Sequence, residues 1–293
     1  MFFECHGHIF MDGKDYKQSA ARHKNEVDEN AVRAALLAVK EAGIGYFRDG
    51  GDALGVSFFA RELAPEYDID YVTPGFAIHK KGHYGSIVGH SFSSFSEYRE
   101  LLARAELKRA DFVKIMFSGI LDFNRFGCLE GGPLEPSLIK ELVAAAHGEG
   151  FAVMAHCNGA AQIRAALEAG TDSIEHGYYM DDDCLSMLSS SGSVWVPTLA
   201  AAAGFVGRDG YCVDTARRIL ASQQEAVRKA VLMGCLIATG SDAGAFGVPH
   251  KNGVLLELRY LRESEDERYV RALEESLSRG NSAIRNNFRH KYD

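Results

Sequence analysis

Short apolar runs alternate with longer amphipathic ones along the chain, and no repeat or low-complexity linker interrupts the rhythm. Strand-like runs fall near residues 2–5, 44–48, 70–77, 112–116, 151–155, 172–175, 193–197 and 235–240, with helical patterns between them. From Asn30 to Ala42, one helical face collects Ala31, Ala35, Leu36, Val39 and Ala42, and Gly43 ends the helix before the strand that leads to Arg48-Asp49. A second helix opens at Pro136-Ser137, turns Leu138, Leu142, Val143 and Ala146 inward, and stops around Gly148 to Gly150. Eight such strands with helical crossovers predict an α/β chain folded as a (β/α)8 TIM barrel, with its chemistry in the loops that follow the strands. An open doubly wound sheet is the alternative. Its nucleotide-binding version needs G-x-G-x-x-G between strand and helix, whereas Gly43-Ile44-Gly45 follows a helix and lacks the third glycine.

At 293 residues, the chain has the length of one such barrel, and a single domain over 1–293 is expected. Its 46% hydrophobic and 25% charged content is that of a globule with a large core. Forty acidic against 32 basic side chains give a net charge of -8, which argues against nucleic acid as a partner and leaves small-molecule substrates open. No apolar stretch is long enough to span a membrane, and the start MFFECHGHIF has no basic leader region. Six cysteines without a C-x-x-C pair suit a reducing compartment, so a cytoplasmic protein is expected. Cys5 and Cys157, beside histidines, read as buried core thiols. Nothing in the sequence fixes whether copies assemble into a homo-oligomer.

The candidate chemistry lies where strands end. The first strand runs into Cys5-His6-Gly7-His8, and in extended chain positions i and i+2 face one side, so both imidazoles can converge. The apolar fifth strand, Phe151 to Ala155, presents His156, and the sixth presents His176 after Glu175. The eighth runs into Gly240-Ser241-Asp242-Ala243-Gly244, where flanking glycines allow a close approach of the carboxylate. Lys114 sits among Phe112, Val113, Ile115 and Met116, where an ammonium is costly to desolvate unless paired or neutralised. Singly, each histidine reads as structural. Four of them, with a lysine and an aspartate at one barrel mouth, call for cations.

These residues resemble the amidohydrolase superfamily of metal-dependent barrel hydrolases, in its imidazolonepropionase-like and prolidase-type dipeptidase branch. The likeness rests on His6-Gly7-His8, Asp111 to Ile115, Ala155 to Gly159, the run Ala165 to Gly177, Val196-Pro197-Thr198 and Gly240 to Gly244. It implies two divalent metal ions, zinc first, with His6, His8 and Asp242 on the more buried ion and His156 and His176 on the other. Lys114 would bridge them as a carbamate formed with carbon dioxide. The implied reaction is hydrolysis of an amide C–N bond by metal-activated water, with Asp242 as proton shuttle, in a dipeptide, N-acyl amino acid or cyclic amide. Alternatives are an esterase, lactonase or deaminase on the same site, or a metal-binding barrel without catalysis. The chain departs from the family in two ways. With five residues before His6, the family's small β-sandwich is not expected here, nor is a cleaved leader, whose removal would take the site with it. Glu4 also stands where the family commonly has an aspartate two residues before the first histidine. A last helix is expected over Asp266 to Leu277, with Arg279 to Ala283 resembling the family's closing helix.

For substrate binding, Arg48, His83 and Tyr178 are ranked first as receivers of a carboxylate, ahead of His79, Lys80, Lys81, Tyr84 and Tyr179. Asp181-Asp182-Asp183 reads as the acidic opening of a helix. His147 and Trp195 read as structural, and His23, His90, His250 and His290 show no ligand spacing. No G-x-S-x-G elbow marks a serine hydrolase.

Overall fold

The computed structural model describes residues 1–292. Its strands, in chain order, are β1 (Phe2–Gly7), β2 (Ile44–Asp49), β3 (Asp70–Val72), β4 (Ala77–Lys80), β5 (Gly89–Phe92), β6 (Val113–Met116), β7 (Ile120–Leu121), β8 (Leu129–Glu130), β9 (Val153–Cys157), β10 (Ser173–His176), β11 (Val194–Val196) and β12 (Leu236–Ile237). Two parallel sheets carry the core, one ordered β1-β2-β3 and the other β12-β11-β10-β9-β6-β4-β5, while β7 and β8 form a separate antiparallel pair. β4, β6, β9, β10, β11 and β12 lie side by side in chain order, and β5 pairs with the outer side of β4 at the sheet edge.

The strand expected over 70–77 is cut in two. Pro74 has no N–H to give a ladder, and Gly75 takes φ +71°, where a Cβ would overlap the Phe58 ring. Thr73 spans the interruption: its carbonyl accepts from Asp111 N at 2.9 Å and its N–H donates to Asp111 Oδ2 at 2.9 Å. As a result β3 pairs with β2, and β4 pairs with β6. The expected strand over 235–240 is also shorter, reduced to Leu236–Ile237. The segment after it still bonds to the first strand, through Cys5 N to Thr239 O (2.8 Å), Asp242 N to His6 O (2.8 Å) and His8 N to Ala243 O (2.7 Å).

Helices cover the sheets with faces turned from the expected ones, since Ala31, Ala35, Ala42 and Leu138 are only half-buried and Val32 and Ile139 are buried. Glu29–Glu41 buries Val32, Leu36 and Val39, and Pro136–Gly148 buries Ile139, Leu142, Val143 and Ala146. Together with the strands' outer faces these make the main apolar core. A smaller cluster gathers Cys5, Tyr46, Val72, Phe112, Met154 and Val196 against Ile284 and Phe288. The last helix is longer than expected, a single run from Glu267 to Asn287. Gly280 lets it pass β12, since a Cβ there would overlap the Ile237 carbonyl. Among the described residues, no helix is long and apolar enough to cross a membrane.

Candidate active site

The two imidazoles at the end of β1 converge as the alternation of extended chain requires. His6 Nε2 and His8 Nε2 each lie 3.3 Å from Lys114 Nζ, which projects from the middle of β6. Asp242 Oδ1 stands 3.7 Å from His6 Nε2 and 3.8 Å from His8 Nε2. Ligand atoms of His6, His8 and Asp242 lie within 4.8 Å of one another. The four rings run on from there: His6 and His176 have centroids 4.8 Å apart, and His176 and His156 4.7 Å.

Backbone conformation serves this convergence. His176, Thr198 and Asp242 all take left-handed φ, at 67°, 49° and 60°, which is uncommon for residues with a Cβ and here turns three successive strand ends into the mouth. Gly50, at the end of β2, leaves room for the site, because a Cβ there would come within 2.7 Å of His8 Nε2 and 2.8 Å of Lys114 Nζ.

Each histidine has one ring nitrogen engaged away from the centre. His6 Nδ1 donates to Glu175 Oε2 at 2.6 Å, and His8 Nδ1 to the Gly51 carbonyl at 3.1 Å. His176 Nδ1 meets Thr198 Oγ1 at 2.8 Å, whereas His156 uses Nε2 toward the Gly119 carbonyl at 3.0 Å. The carboxylate and carbonyl partners of His6, His8 and His156 require an N–H on the engaged nitrogen, which leaves the lone pair on Nε2 of His6 and His8, facing Lys114, and on Nδ1 of His156.

Burial sets the charge state. It draws His6, His8 and His176 well below the ordinary imidazole range and His156 down to about 3, with the Lys114 charge acting in the same direction on each. Lys114 itself is lowered by burial to about 8, against the pull of Asp242, Glu175 and Asp49. Burial pushes Asp242 up to about 6, and the Lys114 charge opposes it. Four neutral imidazoles, two of them against the Lys114 amine, form a nitrogen-rich donor set, and with the Asp242 carboxylate this set fits a divalent transition ion such as zinc.

Two of the three ranked substrate residues are placed elsewhere. Arg48 is fully buried, and its guanidinium is spent on Cys5 O (2.6 Å), Ser173 Oγ (2.9 Å) and Glu175 Oε1 (2.8 Å), so it faces the interior and cannot receive a carboxylate from solvent. Tyr178 is buried too, its hydroxyl donating to the Thr198 carbonyl at 3.0 Å. His83 is half-buried beside Gly132, next to Tyr84, whose ring lies 5.2 Å from that of His156. Cys5 and Cys157 are core thiols, Cys5 Sγ contacting Asn281 Oδ1. Trp195 donates from Nε1 to the His176 carbonyl at 2.9 Å, a structural role that bears directly on the site.

Sequence reasoning left Glu175, Gly51, Thr198 and Gly50 without roles. Glu175 had a signal: a carboxylate inside an apolar strand raises the same desolvation problem as Lys114. The two carbonyl partners, Gly51 and Gly119, had none, since backbone acceptors carry no residue identity.

The amidohydrolase-family model matches residues 2–278. Ochratoxinase from Aspergillus niger is 28% identical over 150 residues, which are 49% of this chain and 31% of that protein, so the likeness spans under a third of that relative. The solved structure of a Xaa-Pro dipeptidase with methionine bound in its active site superposes with a TM-score of 0.78 at 20% identity, over 97% of this chain and 75% of that one. The Aspergillus niger ochratoxinase structure gives 0.76 at 19%, over 97% and 71%. At such identities the two structures speak for a shared fold, and the family match over nearly the whole chain says more: this protein belongs to the amidohydrolase family.

Proposed function

We propose that the protein is a metal-dependent hydrolase of a C–N bond in a small amide, a dipeptide, N-acyl amino acid or cyclic amide, working as a single (β/α)8 barrel domain. The observation that carries it is the convergence of His6, His8 and Asp242 around Lys114 Nζ. The bonds between the first strand and the segment after β12 support closure of the barrel. The structural relative named as a Xaa-Pro dipeptidase supports the amide as substrate.

His6, His8 and Asp242 would hold one ion and His156 and His176 a second, with carboxylated Lys114 between them. Metal bound there supplies Lewis acidity, which lowers the pKa of water toward about 7 and polarises a carbonyl. Lys114 suits carboxylation because burial favours its neutral amine, the form whose lone pair adds to carbon dioxide as one proton leaves. That addition turns a group that repels cations into one that binds them. Asp242 takes the proton from the attacking water and returns it to the departing nitrogen, work suited to a carboxyl held close to neutrality. Tyr84, beside the His156 ring, and its chain neighbour His83 are the side chains assigned to meet the substrate.

Metal content per chain, measured by plasma mass spectrometry on protein purified with bicarbonate and without chelator, comes first; about two equivalents of zinc are expected for a two-metal site. A panel of dipeptides, N-acyl amino acids, lactones, esters and aminopurines then fixes the reaction. Turnover confined to esters, lactones or deamination overturns the amide reading, and a chain that holds no metal after reconstitution overturns catalysis.

A further inference from the structure

Beneath the site, on the side of His6 away from Lys114, lies a buried chain of contacts that ends in the last segment of the protein. His6 Nδ1 donates to one oxygen of Glu175, and Arg48 holds the other. Both members of that ion pair are completely enclosed. The guanidinium is steadied by Cys5 O and Ser173 Oγ, and its face rests on the ring of Phe288, 4.3 Å from Cζ to centroid, with Phe112 at 5.9 Å. Phe288 is itself buried, caps the helix Glu267–Asn287 and stands edge-on to Phe112 at 5.3 Å. The chain beyond it is tied down by His290 N to Asp111 O at 2.7 Å.

We propose that Phe288 is a positioning residue for the metal site, acting through Arg48 and Glu175 on His6. A fully enclosed ion pair depends on fixed geometry, because solvent cannot take the place of either charge if the two drift apart. Phe288 supplies the floor that fixes it, by cation–π contact and by filling the volume below the guanidinium. Removing the ring lets Arg48 sink, and Glu175 follows or loses its counter-charge. His6 then loses the acceptor that sets its tautomer and raises the basicity of Nε2, the two properties a metal ligand draws from its outer partner. The C-terminal segment thereby governs affinity at the opposite end of the strands.

This inference rests on the metal reading above, and its test separates the two. Zinc affinity of the full chain is measured by competition with a chromophoric chelator, alongside the d–d spectrum of the cobalt-loaded protein and thermal unfolding of the metal-free form. Glu175→Gln is expected to weaken zinc binding roughly 10- to 100-fold, and Phe288→Ala on the order of 10-fold. Both should alter the cobalt spectrum. Leu277→Ala, in the main core on the same helix, serves as the control: it lowers the unfolding temperature and leaves zinc affinity and spectrum unchanged. If Phe288→Ala does not fold, Phe288→Leu, which keeps bulk and removes the π face, takes its place with the same expected direction. Wild-type protein that binds zinc beside variants that bind it equally well overturns the relay alone, whereas a wild type that binds none overturns the metal reading with it.

Discussion

Asp242 and Gly50 reach the same centre by opposite means, one by what its side chain offers and the other by having none. Asp242 has two duties, ligand and proton carrier, and Asp242→Asn separates them, since the amide still presents an oxygen but cannot hold a proton. The expected result is a fall in kcat of about 100- to 10,000-fold, the usual worth of a positioned acid–base group, with metal content near wild type. Hydrolysis at the wild-type rate would remove Asp242 from the proton path. Gly50→Ala adds one carbon where no space exists, within 2.7 Å of His8 Nε2 and 2.8 Å of Lys114 Nζ. Its backbone φ is an ordinary one, so the effect is steric. The variant should fold and lose most of its metal, a result read by comparing metal content with the circular dichroism spectrum.

Elements hold the site because their ends are specified. The run Asp181-Asp182-Asp183 opens the helix Asp182–Ser191, and only the first aspartate caps it, accepting from Cys184 N at 2.9 Å while Arg164 pairs with its other oxygen. The Cys184 amide, then Arg164, hold the Asp181 carboxyl down at about 2. Asp181→Ala should therefore cost about 1 kcal/mol in urea unfolding at pH 7, the usual value of an N-cap, and Asp183→Ala close to nothing. A carboxyl with a lowered folded pKa contributes stability above its unfolded value and loses it as pH falls through about 2, so the gap between wild type and Asp181→Ala should close there. Equal losses from both variants would show a general charge effect at the helix start instead of a cap.

For the molecule as a whole, what the sequence made legible depended on distance along the chain. His6, His8, His156 and His176 could be read because each follows an apolar run, and strand ends point to one mouth; Lys114 could be read because an ammonium among apolar residues needs a cause. Arg48 could not. Its partner Glu175 is 127 residues away and in the other parallel sheet, and only the packing of the folded sheets brings the two together in the interior. The break at Thr73 to Phe76 was marked by Pro74-Gly75, yet the continuity of the apolar run concealed it. Glu4 and Glu257 show the same limit. Both are fully enclosed, Glu4 accepting from Ser241 N and Glu257 from Ala200 N, and burial pushes each up to about 8. In the folded chain they keep protons that the unfolded chain has released above about pH 4.5, so they contribute stability at low pH that is lost as pH rises through about 8. The buried histidines act the other way, but only below about 6.5, above which both states hold them neutral. Lys114, lowered to about 8, adds stability only as pH climbs beyond that value. The metal-free protein should therefore be most stable near pH 6.5 and lose stability from there to about 8. Glu257→Gln keeps the acceptor for Ala200 N and cannot ionise, so the fall in unfolding temperature between pH 6.5 and 8 should drop to about half of the wild-type fall. An unchanged slope in that variant would mean that Glu257 already carries its charge in the folded protein.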